Sequence, residues 1–449
     1  MATDRNDQAH SRPSETPEAA APEERVAGAD GPGADGPGAD GPSADGPSAD
    51  GWAPLGLRRR IGRHFARYPG GHLTVGRTPR PDDIRLASND YLAIGEDARI
   101  VAAQVAALRS DRGEVFMSGV YTQFLETQRD LERRFARLGK AEDAVLCQSG
   151  FAACEGVIQA VADPATPVYL DMFAHASLWQ GALTAQAPTH GFRHNDVDHL
   201  AGLIRRHGPG VIAVDAVYST LGDVCRIHDL IRLADTTGSL LIVDESHTLG
   251  VVGRRGEGLV AALGLEKRVS IRVAGLSKAF VGRGGVILAP ARFIEYFRYE
   301  SRPAIFSSAV LPSEIARFAA TLDIVEAESW RRRRAADTAR VLRGRMIELG
   351  YDVSVSRSPI LPLVAGPESA TRRLRDALER HGVIGAVFCA PATPRNRSLV
   401  RLCLNAGVGD AEVDRVCAVL ESIRDEVRPE RWPTYGRDGR PRRGAADAA

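Results

Sequence analysis

The sequence predicts an α/β protein, a mostly parallel sheet covered by helices on both faces and followed by a smaller α+β domain. Three observations predict it. The runs AVLCQSG (144–150), PVYLD (167–171), GVIAVDA (210–216), SLLIVDES (239–246) and VSIRVAG (269–275) have apolar centres and are bounded by polar residues or glycine. Helix-like stretches such as IHDLIRLADTTG (227–238) separate several of them. Apolar strands alternating with helices belong to a parallel sheet buried on both faces. After about residue 312 the pattern changes to the Arg-rich helix AESWRRRRAADTARVLRGRMIELG, then to shorter pieces ending in LVRLCLNA (399–406).

In chain order, the first element is a leader. Residues 28–51 repeat GADGP and then SADGP, a composition that buries too little apolar surface to offset ordering entropy. Residues 1–51 are therefore expected to be disordered, with an N-terminal segment over 52–88. The run LRRRIGRHFAR (57–67) is either a solvated amphipathic face or a contact for phosphates. A large domain is expected over 89–311, in which RDLERRFARL (129–138) sets Leu131, Phe135 and Leu138 at helical spacing. A small domain is expected over 312–428. The Pro-, Gly- and Arg-rich residues 429–449 read as a flexible tail.

Bulk properties exclude several function classes. The 449 residues suffice for two domains with a large shared core. A net charge of +1 gives no basic field for nucleic acid. No apolar run approaches the ~20 residues needed to span a bilayer. The first residues lack the apolar centre of a secretory signal. The six cysteines form no CxxC pair and read as reduced thiols, so a cytoplasmic protein is expected.

In open α/β sheets ligands gather at the carboxyl ends of strands. The polar residues found there by that rule are Ser149-Gly150-Phe151, Asp171 and His175, Asp215 and Ser219, Asp244 and His247, and Ser277 and Lys278. Pyridoxal 5'-phosphate (PLP) needs this mixture: a lysine for its aldehyde, a carboxylate beside its pyridinium nitrogen, a cradle of backbone N–H groups for its phosphate and a ring to stack on it. Each residue also has a plainer reading. Lys278 alone reads as a surface lysine, Asp244 as a helix cap, His175 as a core histidine and Ser149-Gly150 as a turn. Helix capping does not explain an acid at one strand end and a lysine past the next.

Two rivals are weaker. Asp-Glu-x-His after an apolar strand also occurs in helicases, but their phosphate loop GxxxxGK[ST] is missing, since Gly139-Lys140 is followed by Ala141. HNDVDHL (194–200) groups His194, Asp196, Asp198 and His199 without the i, i+4 His pair of the zinc motif, and a polar loop is its default reading.

In order and spacing, SNDYLAI (88–94), SGF (149–151), DMFAH (171–175), DAVYS (215–219), DESHTLG (244–250) and GLSKAF (275–280) resemble the α-oxoamine synthases, fold-type I PLP enzymes that join an amino acid to an acyl-CoA. The resemblance covers about residues 52–428. It is finest toward the autoinducer-synthase branch, which makes long-chain α-aminoketones, through VYLDMFAHASLWQGA (168–182), RRHGPGVIAVDAVYSTLG (205–222), RPAIFSSAVLP (302–312) and GAVFCAPAT (385–393).

The resemblance implies a seven-stranded sheet and a role for each matched residue. Lys278 forms the internal aldimine and moves the Cα proton toward a quinonoid, and Asp244 pairs with the pyridinium nitrogen. His175 stacks on the ring, while Ser219 and His247 lie near the phenolic oxygen. The phosphate is held by Ser149, Gly150 and Phe151, with Ser277 nearby. Ser307 and Ser308 reach it from the neighbouring subunit of a homodimer with shared active sites. Arg401 binds the amino-acid carboxylate, and Asn89 and Tyr91 border the substrate.

The implied substrates are a fatty acyl-CoA and an amino acid or S-adenosylmethionine. Alternatives are another α-oxoamine synthase, such as an 8-amino-7-oxononanoate synthase or a serine palmitoyltransferase-like enzyme, and a non-catalytic PLP-binding regulator. One departure bears on this choice. In VFMSGVYTQFLETQRDLE (115–132), Gln128 stands at the family's histidine position and bulky residues surround Phe116 to Phe124.

Overall fold

The computed structural model describes residues 54–110, 117–436 and 439. The expected leader, Phe116 and most of 437–449 lie outside the described residues. Packing divides the chain into two units, residues 1–70 and 71–449. The described part of the first is dominated by one helix, Leu55–Arg67, which has no acid to offset its arginines.

The described residues of the second unit carry twelve strands: β1 (Ile84–Arg85), β2 (Asp143–Cys147), β3 (Val168–Asp171), β4 (Thr189–Phe192), β5 (Val211–Asp215), β6 (Leu240–Asp244), β7 (Ile271–Gly275), β8 (Gly285–Ala289), β9 (Ile360–Gly366), β10 (Val383–Ile384), β11 (Ala386–Phe388) and β12 (Ser398–Cys403). Seven form one sheet in the order β2-β8-β7-β6-β5-β3-β4. Only β8 runs antiparallel to its neighbours. β5, β7 and β8 are buried along their whole length, as the apolar runs require. Strand β4, the half-exposed edge THGF, is too short and polar to stand out in the sequence. Strand β8, GVILA, is an apolar run that follows the Gly-Arg-Gly turn at 282–284.

A separate core gathers Leu342, Met346, Leu361, Leu363, Leu402 and Leu420 around the antiparallel sheet β11-β12-β9. Its limits differ from the expected 312–428. Ile84 and Leu86, from the supposed N-terminal segment, belong to it because β1 pairs with β10. The helix Pro312–Ala327 instead buries Phe318 and Leu322 against Leu276 and Phe280 of the large-sheet core. Packing thus corrects a boundary drawn from composition.

The expected flexible tail also needs correction in its described part. Pro429–Arg431 form a 3₁₀ turn, the Trp432 indole N–H donates to the Val427 carbonyl at 3.0 Å, and Tyr435 is only 5% exposed. A Pro/Gly-rich composition hid two aromatic side chains that pack.

Candidate active site

The parallel strands bring the expected residues together because they end at one edge. Residues Asp215 and Asp244 close β5 and β6 as register partners. Strand β7 ends at Gly275, three residues before Lys278. Strand β2 leads into the helix Gly150–Val161, capped by the Ser149 hydroxyl, which accepts from the Ala152 N–H at 3.0 Å. The first N–H groups of any helix lack an intrahelical acceptor, so Gly150 and Phe151 offer donors to an anion.

These residues line a cavity of about 540 Å³ with His175, Ser246, His247, Ser277 and Lys278. A second cavity, about 750 Å³, shares His175, His247, Ser277 and Lys278 with it and extends to Ser219, Asn89 and Arg401. The shared side chains form a wall between the two.

A planar group fits the first cavity. Gly150 and Gly275 approach so closely that a Cβ on Gly150 would stand 2.5 Å from the Gly275 Cα. A Cβ on Gly275 would meet the Ser246 hydroxyl at 3.2 Å and the Lys278 amine at 3.4 Å. The floor between acid and lysine is thus bare backbone. The chain has only three lysines; Lys267 is exposed and the Lys140 amine donates to the Ala261 carbonyl at 3.0 Å. Lys278 alone faces a cavity, where burial lowers its pKa against the opposing pull of the Asp244 charge.

The supporting groups are fixed by hydrogen bonds. One Asp244 oxygen accepts from the Ser246 N–H at 2.8 Å and the other from the Cys154 thiol at 3.3 Å. The His175 N–H donates to Asp215 at 3.1 Å, and its ring Nδ1 meets the Ser177 hydroxyl at 2.7 Å. Burial lowers the His175 pKa, and burial followed by the Lys278 and Arg401 charges pushes that of His247 far down. Both rings are therefore neutral near pH 7. The buried Tyr91 hydroxyl meets His247 Nδ1 at 2.7 Å, so Tyr91 supports the site from behind instead of lining a cavity.

At the far wall, the Arg401 guanidinium donates to the Ser219 carbonyl and to Asn89 Oδ1, each at 2.8 Å, and lies 4.4 Å above the Phe388 ring. Its Nε is buried with no hydrogen-bond partner among the described residues.

Other expected residues fall elsewhere. Ser307 and Ser308 line neither cavity; Ser307 bonds the Pro303 carbonyl and Ser308 bridges Ser118. Asp171 turns from the site to accept from His194 at 2.8 Å and from the Tyr218 hydroxyl at 3.0 Å. His194 lies between Asp171 and Asp223. Burial opposes its charge, but the Asp223 charge and the hydrogen bonds to both acids outweigh it and raise its pKa to about 10. Asp196 caps the helix Val197–His207. Among the described residues no group of three or more acids, histidines or cysteines could hold a metal ion. His194 and Asp196 of the HNDVDHL run brace the fold through these hydrogen bonds. Gln128 is buried and donates to Glu132 at 3.0 Å. Cys154, Trp179, Phe388 and Tyr435 line the cavities without having been expected there, since an isolated apolar side chain carries no local signal.

Fold and site together define a fold-type I enzyme dependent on PLP. A family profile described as aminotransferase class I and II matches residues 81–420. The CAI-1 autoinducer synthase of Vibrio campbellii is 39% identical over 350 residues, 78% of this chain and 89% of that protein. The 8-amino-7-oxononanoate synthase of Symbiobacterium thermophilum is 31% identical over 351 residues, 77% and 89% of the two chains. The serine palmitoyltransferase of Sphingomonas wittichii superposes with a TM-score of 0.76 at 22% identity, covering 84% of this chain and 99% of that one, which speaks to the fold. The chain belongs to the aminotransferase class I and II family, on its α-oxoamine synthase branch. It is a PLP-dependent acyltransferase.

Proposed function

We propose that this enzyme condenses a medium- or long-chain fatty acyl-CoA with an amino acid or S-adenosylmethionine to give an α-aminoketone of the autoinducer type. The observation that carries the reading is the paired cavity: a cofactor-sized cleft shares the Lys278 wall with a larger one that has Arg401 among apolar side chains. The 39% identity to an autoinducer synthase supports the same branch.

PLP bound in the first cavity supplies an electron sink for negative charge at the donor's α-carbon. Asp244 would hold its ring nitrogen, Gly150 and Phe151 its phosphate, and His175 one ring face. The Lys278 amine, whose pKa burial lowers, would hold the cofactor and then take the proton from the α-carbon. Arg401, braced by Asn89 and Ser219, orients the donor carboxylate. The α-carbon then bonds to the acyl carbonyl carbon, the thioester C–S bond breaks and CoA leaves as its thiol. The carboxylate departs as carbon dioxide and a proton replaces it.

A homodimer accords with Ser307 and Ser308 lying outside both cavities of their own chain. A cytoplasmic setting accords with six free, buried cysteines and with no described helix long and apolar enough to cross a membrane.

The test is to incubate holoenzyme with a matrix of acyl-CoAs and donors (glycine, alanine, serine, 2-aminobutyrate and S-adenosylmethionine) and to identify products by mass spectrometry. A long-chain aminoketone from a larger donor is expected. Turnover only with glycine, alanine or serine would move the enzyme to another α-oxoamine synthase activity.

A further inference from the structure

The second cavity has one wall that the family match does not reach. The profile ends at residue 420, yet Tyr435 lines the cavity together with Phe388, Leu221 and Leu399. Its ring packs in a small apolar cluster with Leu221, Val364 and Leu399, with Phe173 and Phe388 against it. The Arg397 guanidinium stands 5.8 Å from the ring centre.

Anchors hold this wall on both sides. Before it, Trp432 donates to the Val427 carbonyl and meets Tyr351 edge-on at 5.6 Å. Pro433 covers Gly366 closely enough that a Cβ there would stand 3.2 Å from its ring. Beyond it, Gly439 has a φ of 76°, and a Cβ on it would come within 2.4 Å of His194 Nε2 and 2.5 Å of Asp223 Oδ2. A glycine is required there on both counts. Gly439 thus lies against the buried His194–Asp223 pair.

We propose that Tyr435 is a specificity-determining residue that stops the acyl chain of the thioester substrate. The inference rests on the acyl-CoA reading given above. Three features identify the acyl chain as the ligand part concerned. The wall beside Tyr435 carries Phe388, Leu221 and Leu399, with Arg397 the one charged side chain over its ring, whereas Arg401 and Asn89 take up the polar duty at the Lys278 side of the same cavity. The cavity shares the Lys278 wall, so a chain attached to the reacting carbonyl extends into it. A phenol ring held by two aromatic neighbours and two anchors is a rigid stop, and rigid walls discriminate by whole methylenes.

The experiment measures kcat/KM across a series of acyl-CoA lengths for the holoenzyme and its Tyr435→Ala, Tyr435→Phe and Tyr435→Trp variants. Binding of each acyl-CoA without amino donor is followed by calorimetry. Tyr435→Ala is expected to shift the optimum toward longer chains, with roughly tenfold gain for two further methylenes relative to the wild-type optimum. Tyr435→Trp should shift it toward shorter chains, and Tyr435→Phe should leave it in place. An unchanged profile in active Ala and Trp variants would overturn the inference while leaving the acyltransferase reading intact. If the wild-type enzyme neither binds nor uses any acyl-CoA, the functional reading itself fails and the inference falls with it. If Tyr435→Ala does not fold, the Phe and Trp variants decide.

Discussion

Asp215 and Asp244 face each other in register at the ends of adjacent parallel strands. Two acids so placed and buried do not share the same role. Burial, and next the Asp244 charge, raises the Asp215 pKa well above the carboxylate range.

A pH-dependent stability follows. A raised folded pKa gives stability that is fully present below the ordinary value of about 3.9 and is lost as pH rises toward the folded value. Asp215→Asn removes the titration and retains an oxygen for the His175 N–H. The apoprotein variant should therefore gain Tm over wild type, and the gain should be larger at about pH 8 than at about pH 4. Equal differences at both would show that Asp215 titrates normally.

Tyr91→Phe removes the hydroxyl that meets His247 at 2.7 Å. His247 then turns more freely, and losing one buried hydrogen bond should lower kcat roughly tenfold with little change in fold or cofactor content. Kinetics with PLP absorbance on the same samples check it. Unchanged kcat would mean that His247 is held by its packing alone.

Arg401→Lys keeps the charge but not the fork that reaches Ser219 and Asn89 together. The KM for the amino donor should rise about 10- to 100-fold while the KM for acyl-CoA stays near wild type. A rise confined to acyl-CoA would place the donor carboxylate elsewhere.

Much of this site was legible because its chemistry sits where apolar runs end. The runs LIVD and IRVAG become β6 and β7, so Asp244, which closes the first, and Lys278, three residues past the second, must meet at one sheet edge. The resemblance then supplied Asn89 and Arg401, which are far apart in the chain and joined only by folding. Three things escaped. Asp171 obeys the strand-end rule yet serves His194, because a strand end fixes position and not the direction of a side chain. The second core takes in Ile84 through a two-residue pairing too short to leave a pattern. Tyr435 was lost in a segment whose average composition is that of a tail, although one buried ring outweighs several exposed polar residues in packing.

The central claim is that Lys278 is the residue that holds PLP. Borohydride reduction of the holoenzyme, digestion and mass spectrometry test it most directly, since the chain has only Lys140, Lys267 and Lys278 to choose from. The account predicts a phosphopyridoxyl group on the peptide containing Lys278 and none after Lys278→Ala. The label on Lys140 or Lys267, or full retention of it in the Lys278→Ala variant, would contradict it.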